Sequence, residues 1–368
     1  MSRHQLRSTA GRRIFRAWAG ACVLAAILCA NSRAELPPAP EGSFSVVVIP
    51  DTQHYRGRGT KAEPKSDAEV TNPVFEAYTG WTAENLSRQR IVFVSHVGDI
   101  VDRNTPDQWK VARRAMDRLH GRVPYGISVG NHDMTSGGDS RLFQKHFPRS
   151  RFEEFAWYGG SFENKDGRTI SGNNANSFQL FSAEGLDFVF LHLECNAPED
   201  VLDWAGNVLR RHADRRAIVT THMFLGPAKK PKTGRDYFGA PKGLMEWTKR
   251  HGKRGNSAPQ MWEKCLAKHA NLLMICCGDQ SRTQAMHRTL RGEQGNPVHA
   301  VLSDYGAHGL RIYNFRPKEN LIQVSTYNPM RGELCRETSI CPASSQHQFT
   351  LPYRMWPKPK VQAGRSPN

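Results

Sequence analysis

An α/β fold, with a largely parallel sheet and helices packed on it, is predicted by three observations. Short apolar runs rich in valine and isoleucine recur along the chain, flanked by glycine, as buried strands require. Stretches with helical apolar spacing lie between several of them. Six of the runs end in residues able to bind a metal: "SVVVIPD" at Asp51, "IVFVSHVGD" at Asp99, "YGISVGNHD" at Asn131-His132-Asp133, "LDFVFLHLE" at Glu194, "AIVTTH" at His222 and "NLLMICCGD" at Asp279. Alternation of strand and helix implies parallel pairing. Ligands in such folds bind beyond the carboxyl ends of the strands, so these six termini would share one edge.

The helices have their own signals. Residues 105–119 open with Thr105 as N-cap, Pro106 at the first helical position and Gln108 completing a capping box; Trp109, Ala112, Met116 and Leu119 share one face. Residues 199–212 follow Pro198 and align Leu202, Ala205 and Leu209. Residues 259–269 and 75–88 are two further helices. Near the end, "HAVLSDYG", "GLRIYNF" and "LIQVSTYNP" follow one another without helices and suggest an antiparallel meander. Residues 331–368 lack periodicity and are expected to form a tail or a small added lobe.

The 368 residues carry a formal net charge of +17. Residues 1–34 combine a basic start, the apolar stretch "ACVLAAILCA" and "SRA" before Glu35, the pattern of a secretory signal peptide. The apolar stretch is short for a membrane span, and no transmembrane segment is expected after its removal. Export to the periplasm or the exterior is the expected localisation. Arg12-Arg13 offers part of a twin-arginine signal, without the consensus residue before it. The segment holds six arginines and no acids, so its removal leaves +11. A basic balance suits anionic partners such as phosphate esters, nucleic acid or an anionic surface; a basic exported protein without a specific anion partner has the same balance. The densest basic stretch, 229–254, is Gly/Pro-rich and reads as a loop that either covers the site or is a solvated charge run. Six cysteines remain after export. Cys335 and Cys341 are close enough to pair, and adjacent Cys276 and Cys277 face opposite sides of a strand.

Carboxylates and carbonyl oxygens suit hard cations, and imidazole adds affinity for transition metals. Asp51, Asp99, Asn131, His132 and His222 converge if their strands are neighbours. "GDIVD" (98–102) followed by "GNHD" (130–133), with "PDTQ" (50–53) before them and "VTTHMF" around His222 after them, resembles the calcineurin-like metallophosphoesterases over roughly residues 45–330. The resemblance implies a domain over 42–330 with a four-layer αββα sandwich, mixed sheets inside and helices outside. It also implies metal-dependent hydrolysis of phosphate esters. By that likeness Asp99 would bridge two metals and Asp51 would ligate the first. Asn131 and His222 would ligate the second. His132 would protonate the leaving oxygen, oriented by Asp102, unless Asp102 only caps the following helix. Asp133 reads as a turn residue.

The chain departs from the family pattern in two places. Gln53 stands where DxH has a histidine and would offer the first metal a weaker amide-oxygen ligand, and Gly278-Asp279-Gln280-Ser281 replaces GHxH, leaving Ser281 as a further weak ligand of that metal. Asp279 would then complete the second site, or act as a cap or ion-pair partner of Arg282. One or two divalent metals are expected, Mn²⁺, Fe²⁺ or Mg²⁺ before Zn²⁺, with the second site the better filled. Glu194, Asn176 (with Asn173 and Asn174) and Tyr305 are candidate substrate contacts, against structural or turn roles for the first two. His96 and His192 read as core, and His287, His299 and His308 are spare candidates for the lost ligands. The leading expectation is an exported phosphoesterase acting on a phosphorylated small molecule or other phosphate ester. The alternative is a non-catalytic or weakly catalytic phosphate-ligand binding protein. Nuclease action ranks lower, because no basic track interleaved with aromatics is visible.

Overall fold

The computed structural model describes residues 36–164 and 170–355. The expected signal peptide (1–34) and the end of the expected tail (356–368) lie outside the described residues. In chain order the elements begin with β1 (Phe44–Ile49), α1 (Pro73–Glu84), β2 (Ile91–His96), α2 (Pro106–Asp117), β3 (Tyr125–Ile127), α3 (Arg141–His146), β4 (Tyr158–Ser161), β5 (Ser177–Ala183) and β6 (Leu186–Leu193). They continue with α4 (Glu199–Arg211), β7 (Arg216–Thr221), β8 (Leu225–Pro227), α5 (Asp236–Gly239), β9 (Lys242–Leu244), α6 (Ala258–Lys264) and β10 (Leu272–Cys277). The last are β11 (Ala285–Arg291), β12 (Pro297–Ser303), β13 (Leu310–Arg316), β14 (Leu321–Asn328), β15 (Glu333–Leu334) and β16 (Gln348–Pro352).

Two seven-stranded mixed sheets form the centre. The first runs β15-β14-β13-β1-β2-β3, with β16 also on β14; the second runs β11-β12-β10-β7-β6-β5-β4. β1, β2 and β3 are mutually parallel, as are β6, β7, β10 and β12. The expected single edge is therefore two: the carboxyl ends of three strands from one sheet meet those of four from the other.

Side-chain alternation builds the layers. In β1, Val46 and Val48 join the core between the sheets, whereas Val47 and Ile49 join the core under α1 and α2. In β10, Cys276 faces the inter-sheet core and Cys277 the core under α4 and α6, opposite faces as a strand dictates. Helix, sheet, sheet and helix thus stack as a four-layer αββα sandwich. Phe93 is fully buried between the sheets, stacked 4.6 Å from Phe190 and 5.0 Å from Phe181.

Several local expectations change. The meander is split: β12 pairs with β10 and β11 in the second sheet, and of its three strands β13 and β14 alone stay together, as an antiparallel pair in the first. Residues beyond 330 extend the first sheet, because β15 and β16 both pair along β14. All six cysteines among the described residues are free, Cys335 and Cys341 included. Thr105 makes no side-chain cap bond; Gln108 instead accepts from the backbone amides of Asp102 and Arg103 and so fixes the GDxxD turn. Among the described residues no helix is long and apolar enough to cross a membrane.

Truncating Phe93 leaves a void between two close-packed sheets. Phe93→Ala is expected to cost ~3–5 kcal/mol, read as a shift of the urea midpoint. A loss below about 1 kcal/mol would place the main stabilising contacts elsewhere.

Candidate metal centre

Asp51, Asp99 and His222 follow β1, β2 and β7, and each is buried. One ligand atom from each lies within 4.8 Å of the other two. His222 Nδ1 donates to Val97 O at 3.0 Å, which leaves Nε2 facing Asp99 Oδ1 at 3.1 Å and Asp279 Oδ1 at 3.4 Å. That Nε2 is buried and has no hydrogen bond of acceptable geometry. Asp279 N lies 3.3 Å from Asp51 Oδ2 and ties the second sheet to the first.

Glycines make the crowding feasible. A Cβ on Gly130 would stand 2.2 Å from Asp99 Oδ1, and one on Gly278 would stand 2.1 Å from Asp51 Oδ1. Asp99 (φ 50°) and Asp279 (φ 72°) both adopt the left-handed region, which aspartate tolerates better than most residues. Such backbone strain is concentrated at functional sites.

Electrostatics sets the carboxylates apart. Burial pushes Asp51 up, and Asp304 and Asp99 push it further. Burial pushes Asp99 up as well, but the charges of His222, His132 and Lys249 outweigh it and hold Asp99 below the usual range. Burial opposes charge on His222, yet Asp99 and Asp51 raise its basicity well above that of a free imidazole. Asp304, at the end of β12, is pushed up to about 7 by burial and by Asp279. Negative groups converge here in a buried space, an arrangement that requires a positive charge. The orphaned Nε2 and the carboxylates around it fit one divalent cation.

The other expected residues take different places. Gln53 donates its Nε2 to Asp99 Oδ2 at 3.0 Å, so its amide acts as a donor to that carboxylate and not as the expected ligand. Asn131 Oδ1 and Asp279 Oδ1 both accept from Lys249 Nζ, the former at 3.0 Å. Arg282 lies over the Tyr237 ring at 5.4 Å, and Asp279 pairs with Lys249 in its stead. His132 donates from its backbone N to Asp99 Oδ1 at 2.7 Å and from Nδ1 to Asp102 O at 2.6 Å. Asp102 therefore orients His132 through its carbonyl, while its carboxylate pairs with Lys61 at 2.5 Å. Asp133 accepts from Val101 N and Gly130 N and holds the turn closed, as a turn residue would.

The three candidate substrate contacts lie inside the protein. Asn176 and Glu194 are fully buried and bonded to each other, Nδ2 to Oε1 at 3.0 Å and backbone N to Oδ1 at 2.8 Å. Tyr305 is 1% exposed, with its hydroxyl 2.7 Å from His347 Nδ1 and Arg311 over its ring, which leaves no face for a base or sugar. Asn173 accepts from Arg149 N and Asn174 from Tyr158 Oη, so both tie their loop to the segment from 149 to β4. His299 bonds Pro352 O and His287 stacks on Phe349. His96 and His192 are buried among Thr52, Ser95 and Gln179.

Lys249 and His251 were not singled out as site residues. Both belong to the basic stretch 229–254, where composition alone describes a solvated or covering loop. The loop instead returns to the centre, with Arg250 Nε donating to Asn131 O at 2.7 Å and His251 Nε2 reaching Glu194 Oε2 at 3.4 Å. No local signal in the sequence marks that return.

The chain is similar to several known proteins. The family profile described as "Calcineurin-like phosphoesterase" matches residues 44–255. The uncharacterized protein YvnB of Bacillus subtilis is 29% identical over 308 residues, covering 80% of this chain but 20% of that protein. The chain thus spans about a fifth of the length of the curated relative it matches. Among solved structures, a dimetal phosphatase from Danio rerio is 12% identical, with a TM-score of 0.48 over 86% of this chain and 99% of that one. A 5'-nucleotidase precursor from Thermus thermophilus is 13% identical, with a TM-score of 0.42 over 79% of this chain and 52% of that one.

Two outcomes follow from the crowding. Gly278→Ala is expected to weaken Mn²⁺ binding about 10- to 100-fold in calorimetric titration; unchanged affinity would mean that Asp51 does not need that space. Asp304 keeps its proton in the folded chain and loses it in the unfolded chain between the ordinary value of 3.8 and about 7. Its raised value contributes stability that is complete below the unfolded value and lost as pH rises through the folded one. In chelator, Asp304→Asn should therefore gain thermal stability relative to wild type as pH rises from 4 to 7. A pH-independent difference would contradict this.

Proposed function

The chain belongs to the calcineurin-like phosphoesterase family, and from that premise we propose that it is a metal-dependent hydrolase of phosphate esters. The observation that carries this reading is the buried, unpartnered His222 Nε2 aimed at Asp99 beside Asp51. Asp51, Asp99 and His222 would hold a divalent cation, which supplies charge neutralisation and water activation for attack on phosphorus.

The chain's own residues do the rest. His132 donates an Nδ1 hydrogen bond to the Asp102 carbonyl, which leaves Nε2 as the ring nitrogen that, when it carries a proton, would deliver it to the departing oxygen. Its side chain is 31% exposed, open enough to meet a substrate. A cleft of about 560 Å³ shares Gln53 and Asp102 with the centre and carries Arg56 and Lys61 on its wall. Those cations suit an anionic ester, and the cleft's size suits a small-molecule leaving group. A nucleic-acid substrate finds no comparable support. We also propose that residues 1–34 direct export and are removed; intact mass of the secreted protein beginning at Glu35 would test it.

Chelation should abolish hydrolysis, and a divalent-metal screen should restore it; full activity in metal-free protein would sink the reading. His132→Ala should lower kcat by about 10²–10⁴ on alkyl phosphates and far less on 4-nitrophenyl phosphate, whose leaving group departs unprotonated. Asp102→Asn keeps the carbonyl and should cost much less than His132→Ala. Equal losses would return the orienting role to the Asp102 carboxylate. If no ester is turned over while phosphate ligands still bind, the protein is a binder on this scaffold.

A further inference from the structure

We propose that the Lys249 ammonium stands in for a second metal ion, so that the centre combines one divalent cation with one positive charge built into the chain. The inference rests on the metal-dependent reading above and specifies its cation content.

Asn131 and Asp279 are the two residues that would be left to a second cation once Asp51, Asp99 and His222 hold the first. Both give their side-chain oxygens to Lys249 Nζ. The three imidazoles of the family's DxH and GHxH motifs are absent from the chain, which has Gln53, Asp279 and Ser281 at those positions. Gln53 spends its amide on Asp99, and Gln280 donates its Nε2 to Asp279 Oδ2 at 2.7 Å. A second dication at Asn131 and Asp279 would sit against the ammonium and be repelled by it.

The lysine is held as a fixed part of the site. Its backbone N donates to Asn196 Oδ1 at 3.0 Å, and its ammonium lies 5.8 Å from the Trp247 ring centre. The next two residues anchor the loop on either side of the centre. Arg250 bonds the Asn131 carbonyl, and the His251 ring packs on Gly138, where a Cβ would stand 2.0 Å from it. An ammonium offers charge and hydrogen bonds to phosphoryl oxygens but cannot coordinate water as a Lewis acid. Lys249 would therefore bind and neutralise the phosphoryl group, and the single cation would supply the Lewis-acid chemistry.

The test is metal content of the full chain after equilibration with excess Mn²⁺, by elemental analysis and native mass spectrometry. Wild type and Lys249→Arg should bind one Mn²⁺ per chain, and Lys249→Met should bind a second. A structural role for the lysine would not raise the stoichiometry. Two Mn²⁺ in wild type overturn the inference and leave the hydrolase reading standing, as does one Mn²⁺ in a folded Lys249→Met. No Mn²⁺ in wild type overturns both. If Lys249→Met does not fold, Lys249→Gln gives the same readout: a second Mn²⁺ is expected, and one alone overturns the inference.

Discussion

The hydrogen bond from His222 Nδ1 to Val97 O is the contact on which the centre depends. It joins the end of β7 in one sheet to the turn after β2 in the other. It also fixes the tautomer: with Nδ1 carrying the proton to a carbonyl, neutral His222 presents the Nε2 lone pair to the carboxylates. Without this bond the ring could rotate, and the orphaned nitrogen would have no fixed direction. The backbone link from Cys195 N to Val129 O at 2.7 Å and the approach of Asp279 N to Asp51 repeat the same crossing. The two sheets are thus joined at the edge where their acids collect.

That convergence is costly without a cation. Asp51, Asp99, Asp279 and Asp304 share a buried space, opposed by Lys249, a charged His222 and, at Asp99, His132. The shifts run in both directions for that reason: Asp99 and Asp279, nearest the positive groups, are held low, while Asp51 and Asp304 are pushed up. The close glycines and the two left-handed aspartates belong to the same constraint. They bring charge closer than side chains with ordinary backbone would allow, and the surrounding sandwich has to hold it there. The rigid inter-sheet core around Phe93 provides that support.

The strands and their polar ends were legible because valine-rich runs and glycine turns are local signals. The helices were legible from capping chemistry and apolar spacing, except that Gln108 turned toward the Asp102 turn instead of the helix end. What was hidden depended on distant segments. Whether β12 continues into a meander or enters the other sheet is decided by what lies beside β10, which no window of sequence contains. Tyr305 and Glu194 sit at strand ends like the metal-site residues, yet Arg311 and Asn176 bury them. Asp102 was assigned the right neighbour through the wrong atom, since a carbonyl and a carboxylate on one residue are indistinguishable in sequence.

Lys249 shows the limit most clearly. In sequence it is one cation among nine in a Gly/Pro-rich stretch. In the fold it is the one whose ammonium contacts Asp279, the residue that most plainly marks the departure from the family's metal ligands. The missing imidazoles and the inserted lysine are then two halves of one chemical change. A neutral imidazole is replaced by a carboxylate, which attracts a cation, and the cation is supplied by the chain itself. Each half alone would leave a buried charge unpaired. Asp279 without Lys249 would add another acid to an already crowded centre, and Lys249 without Asp279 would bring an ammonium to the neutral amide of Asn131. Together they explain why a centre that lacks three of the family's histidines still closes around its acids.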